Sequence, residues 1–571
     1  IPRTETLTVS LEDGSQTKPT TIRTPEIPPF GYKAIPYSEL RRYDSHPGPQ
    51  EECDGPPVIE NDFYRIAFAE DGSMKSIFDK QLQRELLDPK APHRANQFVY
   101  TQDNHKTFTS PQSATFSVRK NELGWQVTVS MDDAISKAAI VQTVYLPSDE
   151  KRIDIDNQFS HIYDLFNTHR YYRYGYFAFP FDVPDGRFRV QLNGCMAEPK
   201  VDTTGHGADA YLAARDWFGV ENEDFGVAVV QIDSSLVEFG RIHPDKTTFG
   251  FPYGSTHLYS YIFTDWLQMH TWGGSTINPR FRYTIYSYKG DSKTARVSQL
   301  AERVVTPLVS TTIAAAQEGT LPGEASFLRV NAPNISLLTL KASERPGEGW
   351  IARFHETDGI PIEQLTVEQS LDKAIRMARC TITEESCGES SQAGGWRGEK
   401  LTKFDYLTLR LSKASDRTLE KPAPRLAAKA DNRIHLEWEP VTGAEQYVVY
   451  RGEFAEFATD QFHQIGTVLA PRYEDEFLSP GETYFYKVVA VDENTNLGPV
   501  SDVLEVATDA KGDSPPAPIG SCYNNGLVTL PRACHGAEKD QLYLEWGQNR
   551  ESDLSHYELY RSEQSGFVPG E

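Results

Sequence analysis

The sequence predicts an all-β protein made of several β-sandwiches, and three observations carry that reading. Runs of period-two alternation, rich in β-branched and aromatic residues, recur along the chain. Helical periodicity is nearly absent. The 571 residues also exceed what one core holds, because single cores rarely grow beyond ~250–300 residues.

The alternating runs fall at residues 63–68, 125–131, 152–159, 188–192, 225–232 and 281–288, each bounded by Gly, Pro, Asn or Asp. One short helix is expected over 295–305, stopping before Pro307, where the ring removes a donor and crowds the preceding turn. Large antiparallel sheets fit this order of elements, and a doubly wound α/β fold does not.

Composition removes whole classes of function. The 81 acidic against 57 basic residues give a formal charge of −24, which repels the phosphate backbone that nucleic-acid binders neutralise with clustered Lys and Arg. A neutral glycan suits this balance. No apolar run reaches the ~18 residues of a membrane helix, so no span is expected. Six cysteines contain no Cys-x-x-Cys pair, which argues against a structural zinc site. Cys380 with Cys387, and Cys522 with Cys534, are close enough to form disulfides in an oxidising compartment; buried free thiols are the reading preferred here.

Phrases along the chain resemble the region that follows the catalytic barrel in glycoside hydrolase family 38, the α-mannosidases and their bacterial relatives. They are IPPFGYKAIPY (27–37), IENDFYRIAFAEDGSMKSIFDKQLQRELL (59–87), YFAFPFDV (176–183), DWFGVENEDFGVAVVQIDSSLVEFG (216–240) and FRYTIYSYKGD (281–291). The resemblance implies closing strands of an upstream domain over 1–45 and a large, galactose-mutarotase-like supersandwich over 58–308. A smaller C-terminal sandwich is expected over 321–411, where LLTLKASERPGEGWIARFHETDG (337–359) and FDYLTLRL (404–411) stand.

At residue 421 the character changes. A Pro-rich entry, a Trp strand and a Tyr strand are similar to a fibronectin type III module over 421–509. Trp438 is expected in its core, and Tyr484 in the place of the family's corner tyrosine. LYLEWGQNRESDLSHYELYRSE (542–563) repeats HLEWEPVTGAEQYVVYRGE (435–453), so a second module is expected over 515–571, about half complete. The chain reads as a fragment at both ends.

No catalytic residue is expected in this chain. Glycoside hydrolysis needs two carboxylates ~5–9.5 Å apart. Asp154 and Asp156 alternate with Ile153 and Ile155 and read as one solvated strand face. Glu221, Glu223 and Asp224 sit in a turn signature. The 14 histidines show no metal-ligand spacing, so no metal site is expected either. The resemblance places zinc and the catalytic carboxylates in a barrel that has no counterpart here.

Sugar binding remains. Residues 259–288 gather Trp266, His270, Trp272, Asn278 and Arg280, aromatic faces for pyranose C–H surfaces beside donors for hydroxyls. In the family, residues of this domain reach over to line the barrel's cleft. Core filling by the two tryptophans is the competing reading. The loop 203–219, with His206, Asp209, Arg215 and Asp216, is a second candidate, against an ordinary solvated loop.

The resulting expectation is the non-catalytic C-terminal portion of an α-mannosidase-like hydrolase. It would act on a mannoside glycan together with an upstream catalytic domain, with an extracytoplasmic location favoured by the fibronectin type III modules. A stand-alone carbohydrate-binding or adhesion protein is the alternative. A self-sufficient mutarotase-like or lyase-like enzyme would need convergent His, Tyr and Arg that the sequence does not assemble.

Overall fold

The computed structural model describes residues 6–13, 16–39, 42–43, 51–101, 108–132, 139–160, 174–203, 211–243, 253–264, 278–311, 321–344, 347–370, 375–384, 387–388, 395–398, 400–413, 418–430, 432–460 and 462–510. Four short strands between 523 and 545 complete the described residues. The chain divides into two compact units, Ile1–Lys341 with Ile351–Leu411, and Ala342–Trp350 with Ser412–Glu571.

The first unit is dominated by antiparallel sheets, as the alternation requires. A ten-stranded sheet carries Ile153–Ser160, Phe225–Gln231 and Arg280–Lys289 near its middle; a six-stranded sheet carries Gln97–Thr101, Tyr174–Phe179, Leu258–Thr264 and Leu236–Phe239 as neighbours. A four-stranded sheet starts at Val58–Glu60. Their apolar faces form one core that includes Ile66, Phe98, Phe159, Phe177, Phe179, Val229 and Ile285. Two polar contacts stitch this core. The buried amides of Asn96 and Asn157 exchange hydrogen bonds at 2.9 and 3.0 Å, and the Tyr283 hydroxyl donates to Ser260 at 2.8 Å. Buried polar groups without partners cost about 1–3 kcal/mol each, so such pairs also fix register.

Among the described residues one α-helix is present, Val297–Val305. It starts two residues later than the periodicity predicts, because Arg296 holds a left-handed conformation with φ 56°. Val297 and Ala301 pack against Trp217, Ala228, Val230 and Tyr288 on the other face of the ten-stranded sheet.

The N-terminal segment holds a three-stranded sheet of Thr6–Asp13, Gln16–Arg23 and Arg42–Tyr43, while Gly31–Lys33 pairs with Glu324–Ser326. Gly31 has no substitute there, since a Cβ would sit 1.9 Å from the Ala325 carbonyl oxygen. Beyond it, a four-stranded sheet (Ile335–Ala342, Trp350–Glu356, Tyr406–Ser412, Arg376–Cys380) and a three-stranded sheet (Leu328–Val330, Thr366–Gln369, Gly395–Arg397) form the smaller β region. Cys380 and Cys387 are joined as a disulfide. This corrects the preference for free thiols at those positions: an antiparallel bridge pairs the two residues directly, and opposed positions bring the sulfurs together. Cys522 and the side chain of Cys534 lie outside the described residues.

In the second unit, Arg425–Lys429, Arg433–Glu437 and Arg472–Glu476 form one sheet. Gln464–Val468, Ala444–Gly452, Thr483–Asp492, Leu497–Val500 and Leu504–Ala507 form the other. Three strands facing four or five in this order is the topology of a fibronectin type III-like sandwich. Trp438 is buried in its core with Leu436, Tyr447, Val449 and Val488. The Tyr484 hydroxyl accepts the Ser479 backbone N–H at 3.0 Å, the bond expected of a corner tyrosine. The expected half-module over 515–571 falls almost wholly outside the described residues.

Candidate functional site

The segment singled out from the sequence is held at both ends by strands of different sheets. Leu258–Thr264 of the six-stranded sheet precedes it, and Arg280–Lys289 of the ten-stranded sheet follows. Trp266, His270 and Trp272 lie outside the described residues. Asn278 and Arg280 are described, and both are exposed. Arg280 already has a partner: its Nε and Nη2 reach both carboxylate oxygens of Asp156 at 2.8 and 2.6 Å. Two residues on, Arg282 grips Asp233 in the same way, at 2.8 Å to each oxygen. Asp154 accepts from Thr284 at 2.7 Å and from Arg152 at 3.1 Å.

These contacts revise the reading of Asp154 and Asp156. The two share a face, as alternation demands, yet it is a ladder of ion pairs and not a merely solvated face. Burial, opposed by Arg152, pushes the Asp154 carboxyl above its ordinary range. Both carboxylates are engaged by protein partners.

The acidic turn resolves in part as expected. Asn222 accepts the backbone N–H groups of Asp224 and Phe225 at 2.9 and 3.0 Å, closing an Asx turn. Glu221 is different: it ends the strand Trp217–Glu221 and is buried. It accepts from Arg189 at 2.6 Å, from the Tyr288 hydroxyl at 3.0 Å and from the Ser292 N–H at 2.7 Å. In the second candidate loop, Arg215 and Asp216 form an ion pair at 3.5 Å, while His206 and Asp209 lie outside the described residues.

Sequence reasoning missed a polar cluster on the face of the six-stranded sheet that turns away from the core. The aromatic run around Tyr174–Phe179 explains how it forms. Phe177 and Phe179 enter the core, which leaves Tyr174 and Tyr176 on the opposite face with Tyr259 and Tyr261. Tyr176 stacks on Tyr261 at 5.1 Å and donates its hydroxyl to Glu238 at 2.9 Å. Glu238, fully buried, also accepts the His243 N–H at 2.8 Å. Burial first, then the charge of Glu238, holds the Tyr176 and Tyr259 phenols above their ordinary value, so both stay protonated. Nearby, His257 meets Asp88 at 3.0 Å. His93 packs edge-on against Tyr259 and Phe108. Burial, with help from His257, lowers its pKa to about 4. The one sequence signal was an acidic residue between Val237 and Phe239 in a short apolar strand; one partner, His243, is five residues on, and the other, Tyr176, comes from a strand 62 residues away.

Among the described residues, no group of three or more His, Cys, Asp or Glu is placed to hold a metal ion.

With this geometry in place, residues 59–234 match the family described as glycosyl hydrolases family 38 C-terminal domain. That stretch resembles the C-terminal region of family 38 glycosyl hydrolases. The match begins in the four-stranded sheet and ends just beyond Phe225–Gln231, so residues 265–280, the part of 259–288 that holds the five candidates, follow the matched family 38 region. A glycosyl hydrolase family 38 protein from Enterococcus faecalis is similar over 72% of this chain and 51% of its own, at 13% identity and TM-score 0.46. An alpha-mannosidase from Enterococcus faecalis V583 is similar over 72% of this chain and 49% of its own, at 12% identity and TM-score 0.48. The chain thus spans about half the length of these two proteins. The fn3 domain of human collagen alpha-1(XX) chain aligns over 18% of this chain and 97% of its own, at 24% identity and TM-score 0.15. No curated protein matches the chain. No helix among the described residues is long and apolar enough to cross a membrane.

Proposed function

We propose that this chain is the non-catalytic C-terminal portion of an α-mannosidase-like glycoside hydrolase. Its sandwiches support a catalytic domain and shape the cleft that receives a mannoside. The observation that carries the reading is the family 38 match over residues 59–234. The engagement of Asp154, Asp156 and Glu221 by protein partners supports the absence of a catalytic role for them. Zinc and the catalytic carboxylates belong, on this reading, to the catalytic domain. An extracytoplasmic location is part of the proposal, favoured by the fibronectin type III-like module.

Substrate contact from this chain is assigned to the 265–280 segment, through Trp266, His270, Trp272, Asn278 and Arg280. The test uses the longer protein that carries the catalytic domain. Trp272→Ala and Arg280→Ala should each lower kcat/KM for aryl α-mannosides while Tm hardly moves. For Arg280 this separation is physically reasonable, because an exposed ion pair contributes only about 0–1 kcal/mol. A Tm loss with unchanged kcat/KM per folded molecule would end the assignment.

A further inference from the structure

The first unit contains a groove of about 880 Å3 between the segment 27–31, the helix Val297–Val305 and residues 329–335. Arg296, Gln299, Leu300 and Arg303 line it from one side. Gln299, Leu300 and Arg303 share one helix face, turned away from the face that buries Val297 and Ala301, and the left-handed Arg296 stands at the N-cap before them. Arg329 lines the groove from the neighbouring segment. All three arginines are exposed, and among the described residues none of them has a carboxylate partner. Glu302, the one acidic residue in the lining, is held by the Ser336 hydroxyl at 3.1 Å.

That concentration is unusual for a chain of charge −24, in which Arg152, Arg189, Arg280, Arg282 and Arg451 all hold carboxylates. The global charge does not cancel the local one. At physiological ionic strength charges beyond about 8 Å are largely screened, so an anion inside the groove responds to the guanidinium groups around it. Apolar surface is also supplied, by Pro28, Phe30 and Tyr286. Rings offer faces to pyranose C–H groups, and guanidinium forks bind carboxylates or phosphates in two-pronged fashion. The volume falls within the ~300–1,000 Å3 range of small-ligand sites.

We propose that this groove binds an acidic saccharide, a pyranose carrying a carboxylate or a phosphate, through Arg296, Arg303 and Arg329. The choice of a sugar as the carrier of the anion leans on the family 38 reading; the groove's preference for an anion does not. The site is separate from the 265–280 segment and requires no catalysis.

Calorimetric titration of the full chain tests it, with digalacturonate and mannose 6-phosphate as acidic probes and mannobiose as the neutral one. Inorganic phosphate and oligoglutamate serve as non-sugar anions. At least one acidic sugar should bind with a Kd of about 0.1–1 mM, and mannobiose should show no heat of binding. Arg303→Gln and Arg329→Gln, on separate elements, should each weaken the acidic sugar about tenfold or more, with unchanged circular dichroism. If neither acidic sugar binds, or both variants bind as the parent does, the proposal is overturned. Oligoglutamate or phosphate binding as tightly as the acidic sugar would also overturn it, by removing the sugar from the recognition. Loss of the catalytic reading shows separately, as mannoside turnover by this chain, and leaves these titrations untouched.

Discussion

His93 offers a sharp test of the buried polar face of the six-stranded sheet. It lies against Tyr259 and Phe108, with ring centroids at 6.0 and 6.2 Å. Burial is the main cause of its lowered pKa, about 4 against the ordinary 6.5, and the charge of His257 adds to it. The folded state therefore resists a proton that the unfolded chain accepts. As pH falls from 6.5 towards 4, the unfolded state binds more protons, and stability falls with it. Each pKa unit is worth about 1.4 kcal/mol, so the full separation costs the fold about 3 kcal/mol by pH 4. His93→Phe keeps an aromatic ring on Tyr259 and removes the proton site. Urea unfolding followed by the near-ultraviolet signal of the packed tyrosines, at pH 7, 6, 5 and 4.5, gives the comparison. The parent should lose stability more steeply than His93→Phe below pH 6.5, approaching about 3 kcal/mol of difference. Asp88 does not confuse the window: its pKa lies below the ordinary 3.8, so its contribution persists above that value and fades only at lower pH. Equal slopes for parent and variant would refute the account of His93 as a neutral, half-buried group.

Three further outcomes follow from the packing. Trp438→Ala should lower the unfolding free energy of the 421–509 module by about 3–5 kcal/mol, as for other large core truncations, measured by urea melts of that module. Glu221→Ala should destabilise the first unit by about 2–4 kcal/mol, since it leaves the buried Tyr288 hydroxyl and Ser292 N–H without their acceptor and Arg189 with Glu198 as its remaining carboxylate; calorimetry of the full chain reads this as a lower first-unit transition. Trp272→Ala in the longer protein should reduce kcat/KM with little change in Tm, measured on one preparation.

The fold was legible where side chains alternate cleanly. Ile153, Ile155 and Phe159 announce a strand with one buried face, and the structure buries them. Trp438 and Tyr484 were also readable, because a core tryptophan and a corner tyrosine occupy set places in such a sandwich. The helix start was misjudged by two residues, since a left-handed Arg296 leaves no mark in hydrophobic periodicity. The Asp154–Asp156 ladder was half legible: sequence supplies the shared face, but Arg280 and Arg282 come from a strand more than a hundred residues away and meet it only through sheet pairing. The cluster around Glu238 was illegible for the same reason. Tyr176, Glu238 and Tyr259 become neighbours only when their strands align. The Cys380–Cys387 disulfide turned on direct opposition in an antiparallel bridge, which spacing alone does not specify.

The central claim is that the chemistry of an α-mannosidase is performed outside this chain. Turnover of aryl α-mannosides by the purified 571-residue chain, with and without added zinc, tests it most directly. The expected result is no turnover above the blank, with or without zinc. Activity that follows the peak of the 571-residue chain through successive purification steps would contradict it.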